Sequence, residues 1–212
     1  IQALKNFNLT VYAGEIVGVA GVDGNGQKEL AECISGLKKP VSGTISVNDT
    51  LITDVVADPK FIGFIPEDRQ KTGLVMDFSV GENLIIKEYD KEPYAEKRLL
   101  NLQNIKNHAH AMIEKYGIKT PSDTVKVSTL SGGNQQKIVI MKWLLSNAKV
   151  FIFDEPTKGV DVGAKVEIYN IMNSLLENGA SIIMVSSEME EILGMSDRVM
   201  VMYEGRQTGI VD

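Results

Sequence analysis

The chain has 212 residues, 43% hydrophobic and 24% charged, enough for one large α/β core and too few for two independent cores of useful size. Its formal net charge of −6 offers no electrostatic footprint for nucleic acid, and a single cysteine, Cys33, excludes an internal disulfide and fits a reducing compartment. No apolar run approaches the ~18 residues a membrane-spanning helix needs.

The chain begins at Ile1 inside a strand-like pattern, as expected of a piece cut from something longer. Phe7, Leu9 and Val11 alternate with polar residues and predict a strand with one buried face. A second apolar run, Glu15 to Ala20, leads into the glycine-rich stretch Gly21 to Gly26. Leu30, Cys33, Ile34 and Leu37 recur at helical spacing after it, with Gly36 and Pro40 as stop signals. Gly43 to Val47 predicts a short strand, turned at Asn48-Asp49.

The middle of the chain has a different texture. Ser79 followed by Glu82 is a capping-box pattern opening a helix to about Lys87, and Ile105 to Tyr116 predicts a second helix closed by Gly117. Strand signals are scarce between them, so a helical subdomain inserted over roughly residues 78–146 is expected. Its last helix starts at Ser131 and runs to about Leu145. Then Val150 to Phe153 is a continuous apolar run suited to a parallel strand buried on both faces. A helix over Val162 to Leu176, a strand over Ser181 to Val185, a capped helix from Ser187 and a strand over Val199 to Tyr203 complete an alternation. Such alternation implies a largely parallel sheet covered by helices.

Three motifs carry chemistry. Gly21, Val22, Asp23, Gly24, Asn25 and Gly26 lie between a predicted strand and a predicted helix, where glycine amides can cradle phosphate oxygens at the helix's positive end. Leu130-Ser131-Gly132-Gly133-Asn134-Gln135 precedes a helix and combines a hydroxyl, two glycine amides and a helix start, which makes a second anion site. The buried strand ending in Asp154-Glu155 delivers two carboxylates at its carboxyl end, beside the phosphate loop. Asp154 suits organisation of Mg²⁺, and Glu155 suits polarisation of an attacking water.

Together these motifs resemble the nucleotide-binding domain of ABC-type transporters over essentially the whole chain. The resemblance implies a RecA-like P-loop NTPase fold with an antiparallel β edge, ATP and Mg²⁺ as ligands, and a sandwich in which the loop of one domain faces the signature of another. Ser131 and Gly133 would contact the γ-phosphate, with Gly132, Asn134 and Gln135 in the same site; Gly21 to Gly26 with Gln27, Lys28 and Glu29 would line the chain's own loop. The segment Asp154 to Lys165, with Pro66-Glu67-Asp68-Arg69, is similar to the second ATPase half of bacterial monosaccharide (ribose- and galactose-type) importers; Glu92-Pro93-Tyr94 is similar to nucleoside importers. Implied partners are an N-terminal ATPase half on the same polypeptide, membrane-spanning permease subunits and, indirectly, a sugar-binding protein, at the cytoplasmic face of the membrane. Arg69, Leu74 and Phe78 fall where docking to the membrane subunits is expected.

The pattern departs from the family at three places. The loop ends Gln27-Lys28 where Lys-Ser/Thr is usual, so the residue expected to meet the β/γ-phosphates is a neutral amide and the metal's hydroxyl is an ammonium. One helical step turns a side chain by about 100°, so Lys28 does not replace the missing lysine. Glu67 stands at the glutamine-loop position, and Ser187 at the switch position where a histidine is usual. These departures predict a division of labour: a weak site on this chain's own loop, and a hydrolytic site that its signature completes on the partner. His108 and His110, two apart, are expected to face solvent; Trp143 and the methionines are expected to fill the core.

Overall fold

Apolar runs without alternation can be buried on both faces, and three of them build the middle of a six-stranded sheet. In the computed structural model, which describes residues 3–52, 61–146 and 148–212, β1 (Ile16–Ala20), β7 (Val150–Asp154) and β8 (Ser181–Val185) are almost wholly buried. The sheet order is β10-β9-β1-β8-β7-β4, with β4 at Ile62–Ile65, β9 at Arg198–Tyr203 and β10 at Arg206–Val211. Every pairing is parallel except β9 with β10, which gives the expected antiparallel edge. Between β1 and β4 the sheet carries α1 (Gln27–Ile34) and a small hairpin of β2 (Ser46–Val47) and β3 (Thr50–Leu51). Asn48 and Asp49 turn that hairpin with positive φ at both positions, the twist a two-residue loop prefers.

The chain divides into two compact units. The sheet unit takes Ile1–Glu67, Ala148–Pro156 and Tyr169–Asp212; the other takes Asp68–Asn147 and Thr157–Ile168. In the second unit lie α2 (Val80–Ile85), α3 (Leu102–Lys115) and α4 (Gly132–Leu144). The Ser79–Glu82 capping box is formed: Glu82 N–H donates to Ser79 Oγ at 3.2 Å, and Ser79 N–H to Glu82 Oε2 at 2.7 Å. Helix α5 (Val162–Glu177) is divided between the units, and α6 (Met189–Met195) belongs to the sheet unit.

Several expectations are corrected. Phe7, Leu9 and Val11 alternate in burial and pack on the cluster of Val17, Val19 and Met200, yet the segment is extended without a strand ladder. Its polar groups go elsewhere: Lys5 N–H donates to Gly205 O, and Thr10 O accepts from Arg198. A hairpin, β5 (Ala95–Glu96) with β6 (Leu99–Leu100), lies where no strand was expected. Helix α1 stops at Ile34, leaving Leu37 60% exposed, and α6 is preceded by Glu188 at its N-cap with no side-chain cap bond, while Ser187 bonds Glu155. His108 is half-buried against Tyr94 and its imidazole pKa is lowered by burial, whereas His110 is exposed and meets Asp123 at 3.2 Å. Trp143, Met172, Met184, Met200 and Met202 are core residues, but Met189 is 55% exposed. Ile1 lies outside the described residues.

Candidate functional site

Strands β1, β8, β7 and β4 are neighbours and parallel, so their carboxyl ends open on one edge of the sheet. Adjacent to those ends come, in order, Gly21–Gly26, Ser186-Ser187, Asp154-Glu155 and Glu67. Residues as far apart in sequence as Gly21 and Ser187 are thereby collected into one row.

The glycine loop is closed by side chains. Asn25 Nδ2 and Gln27 Nε2 both donate to Val22 O, at 2.7 and 3.1 Å, and Asn25 Oδ1 accepts from Glu204 N–H at 2.7 Å. Gly26 sits at the N-cap of α1 with φ 104°, a conformation that favours glycine, and starts the helix by accepting Leu30 N–H at 2.9 Å. Gln27 is 8% exposed and folded into the loop, while Lys28 is exposed on the helix. The loop therefore keeps its amide-lined turn and helix N-terminus, which fit phosphate oxygens, but presents a neutral amide at the position expected to carry charge. The fit to Mg²⁺ is poorer, because no hydroxyl follows Gln27.

Asp154 is 7% exposed, and its carboxyl pKa is pushed up to about 6, first by burial and then by the neighbouring charges of Glu67 and Glu155; Lys28 and a backbone hydrogen bond from Glu67 oppose this. Such a carboxyl gains by facing a cation, so Asp154 fits a metal ligand. Glu155 has φ 52°, uncommon outside glycine, and its N–H extends the ladder to Val185 O at 2.9 Å. Its carboxylate is held by Ser187, with Ser187 N–H donating to Oε1 at 2.7 Å and Ser187 Oγ to Oε2 at 3.1 Å. That contact joins two residues 32 apart and was invisible to local pattern.

In the second unit, Ser131 is the N-cap residue of α4, and Gly133 sits where an added Cβ would lie 2.4 Å from Ala164 Cβ. Only glycine allows the start of α5 so close. Ser131, Gly133 and Asn134 line a cavity of about 100 Å³ with Lys119, Lys137, Asp161 and Glu167. Lys137 is buried, its ammonium bonded to Tyr116 O, Gly117 O and Glu167 Oε2. Gln135 turns inward instead: 2% exposed, its amide donates to Val127 O and Leu130 O and accepts from Gln70. Arg69, expected at a docking surface, spends its guanidinium on Lys158 O and Gly159 O, and Leu74 is buried; Phe78 is 43% exposed.

The ABC transporter family profile matches residues 4–158. The chain is 48% identical over 210 residues to the ribose import ATP-binding protein RbsA 1 of Rubrobacter xylanophilus, covering 97% of this chain and 42% of that protein. It is 41% identical over 209 residues to the guanosine import ATP-binding protein NupO of Bacillus subtilis, covering 97% of this chain and 41% of that one. The chain thus spans about two fifths of the length of these relatives. In structure it is similar to a dimeric ATP-binding cassette in a post-hydrolysis state bound to ADP and Pi, with TM-score 0.81 and 23% identity over 99% of this chain and 90% of that one. The fold is that of such cassettes.

Proposed function

This chain belongs to the ABC transporter family, and we propose that it is one ATPase half of a monosaccharide importer, coupling ATP binding and hydrolysis to sugar uptake through membrane-spanning subunits at the cytoplasmic face. Within it the two anion sites divide the work. Ser131 and Gly133 complete the ATP site carried by an intact phosphate loop on the other half, which hydrolyses. The chain's own loop holds nucleotide weakly through its amides and turns it over slowly, so the isolated domain is a weak or inactive ATPase.

The observation that carries this reading is the contrast between the two helix starts. At α1 the Gln27 amide is folded onto Val22 O, and Lys28 is exposed beyond it. At α4 the Ser131 hydroxyl makes no cap bond to its own helix and borders an open cavity. Mg²⁺, where bound, would neutralise charge on the terminal phosphates; Asp154 is the residue of this chain suited to hold it. At the weak site, Glu155 is already engaged by Ser187 N–H and Oγ, which lowers its availability as a base. Glu67 adds a carboxylate where a neutral amide is usual, which disfavours a nearby phosphate.

Ribose import and guanosine import are named for relatives of comparable similarity, so a nucleoside importer is the second reading. Uptake of labelled ribose and labelled guanosine into vesicles carrying the complete assembly separates them: the proposal expects ATP-driven accumulation of the sugar alone. In the same preparation Ser131→Arg, which fills the cavity with a large side chain, is expected to abolish ATP hydrolysis. Near-normal turnover in that variant would remove the signature from the mechanism.

A further inference from the structure

The Asn134 side chain is 8% exposed and bonded at both ends of its amide. Lys119 N–H donates to its Oδ1 at 2.8 Å, and its Nδ2 donates to Ser131 Oγ at 2.9 Å. A backbone N–H can only donate, so the amide oxygen must face Lys119 and the NH₂ must face Ser131. A hydroxyl has one proton, and an Oγ that accepts from Asn134 keeps that proton for a bond in another direction. The helix's first-turn N–H groups leave the oxygen's lone pairs to Asn134. Ser131 occupies the N-cap position, where a serine Oγ ordinarily accepts from the first turn's N–H groups, yet it makes no cap bond. Asn134 fills that role, and the hydroxyl borders the cavity that Gly133, Lys119 and Asp161 also line.

We infer that Asn134 is a positioning residue: by donating to Ser131 Oγ it directs the serine proton toward a terminal phosphate oxygen of nucleotide held by the other half. The inference rests on the proposed role of the signature and adds to it the polarity of one hydrogen bond. Asn134, expected from sequence to touch nucleotide, acts here through Ser131. The surrounding charges make direction matter. Asp161 and Glu167 are acidic walls of the same cavity, with Asp161 Oδ1 accepting Ala164 N–H and Glu167 accepting from Lys137. An anion entering there needs a donor aimed at it.

The test is a double-mutant cycle on ATP turnover by the complete assembly, using Ser131→Ala, Asn134→Leu and the pair together. Each single variant is expected to lower kcat by about ten-fold or more, the scale of one hydrogen bond to a charged group. The pair is expected to be no worse than the worse single variant, because Asn134 has no effect once its target is gone. Asn134→Asp, close in shape, reverses the bond: its carboxylate accepts the serine proton, and turnover is expected to fall at least as far while the unfolding temperature is kept. It also supplies the cycle should Asn134→Leu fold poorly. Losses that multiply in full in the double variant would make Asn134 merely structural and overturn the inference. If Ser131→Ala itself left turnover intact, the signature reading would fail first, and this inference with it.

Discussion

A neutral amide and an ammonium differ by a full charge at the place where a phosphate loop meets its helix. Gln27 occupies that place and is bonded to Val22 O, so the repair needs two changes, restoring the charge and the hydroxyl. Gln27→Lys with Lys28→Thr is expected to tighten Mg²⁺-ATP binding on the order of ten-fold or more, measured by calorimetric titration. Unchanged affinity would place the defect elsewhere. Asp154 offers a second residue-scale test. Its folded carboxyl titrates near 6, above the unfolded value of about 3.9, so the folded state binds more protons between those limits. The contribution of this group to stability is therefore fully present below about pH 4 and is lost as pH rises through about 6, by about 3 kcal/mol in all. Asp154→Asn is expected to melt higher than the parent at pH 7 without metal and close to it at pH 4; parallel melting curves at both would refute the shift. The identities of these residues were legible in the sequence. The Glu155–Ser187 contact and the inward turn of Gln135 were not, because both depend on partners brought near by packing.

At the scale of elements, helix α4 is fixed along its length. Gln135 meets Gln70, Lys142 donates to Gly73 O, and Lys87 sits 4.1 Å over the Trp143 ring. Burial lowers the Lys142 pKa to about 8, with Lys87 adding to the shift. The helix's apolar content and start were readable from its motif; its nearly all-round burial, which includes Lys137 and Lys142, was not, since both lysines find carbonyl partners far away in sequence. The close approach of Gly133 to Ala164 gives a test. Gly133→Ala is expected to cost about 1–3 kcal/mol in urea denaturation through overpacking, and Ala164→Gly in the same chain to recover part of it. No recovery would mean that the strain lies elsewhere. Continuous apolar runs were a sound sign for β1, β7 and β8, but alternation misassigned Phe7 to Val11, where it exists in burial without a ladder. Alternation reports one buried face, and it does not report whether a neighbour is in place to pair.

At the scale of the molecule, the family is legible in the motif strings alone, since loop, signature and carboxylate pair in one order are specific. What they leave to the fold is grouping: one row along the carboxyl ends of four strands in the sheet unit and, within the other unit, a cavity at the start of α4. We propose that these serve different nucleotides. The measurement that bears on it most directly is a structure of the complete ATPase trapped with a non-hydrolysable ATP analogue. We expect Ser131 Oγ and Gly133 N within about 3 Å of the γ-phosphate bound to the other half's loop. A start of α4 turned away from every phosphate would contradict the account.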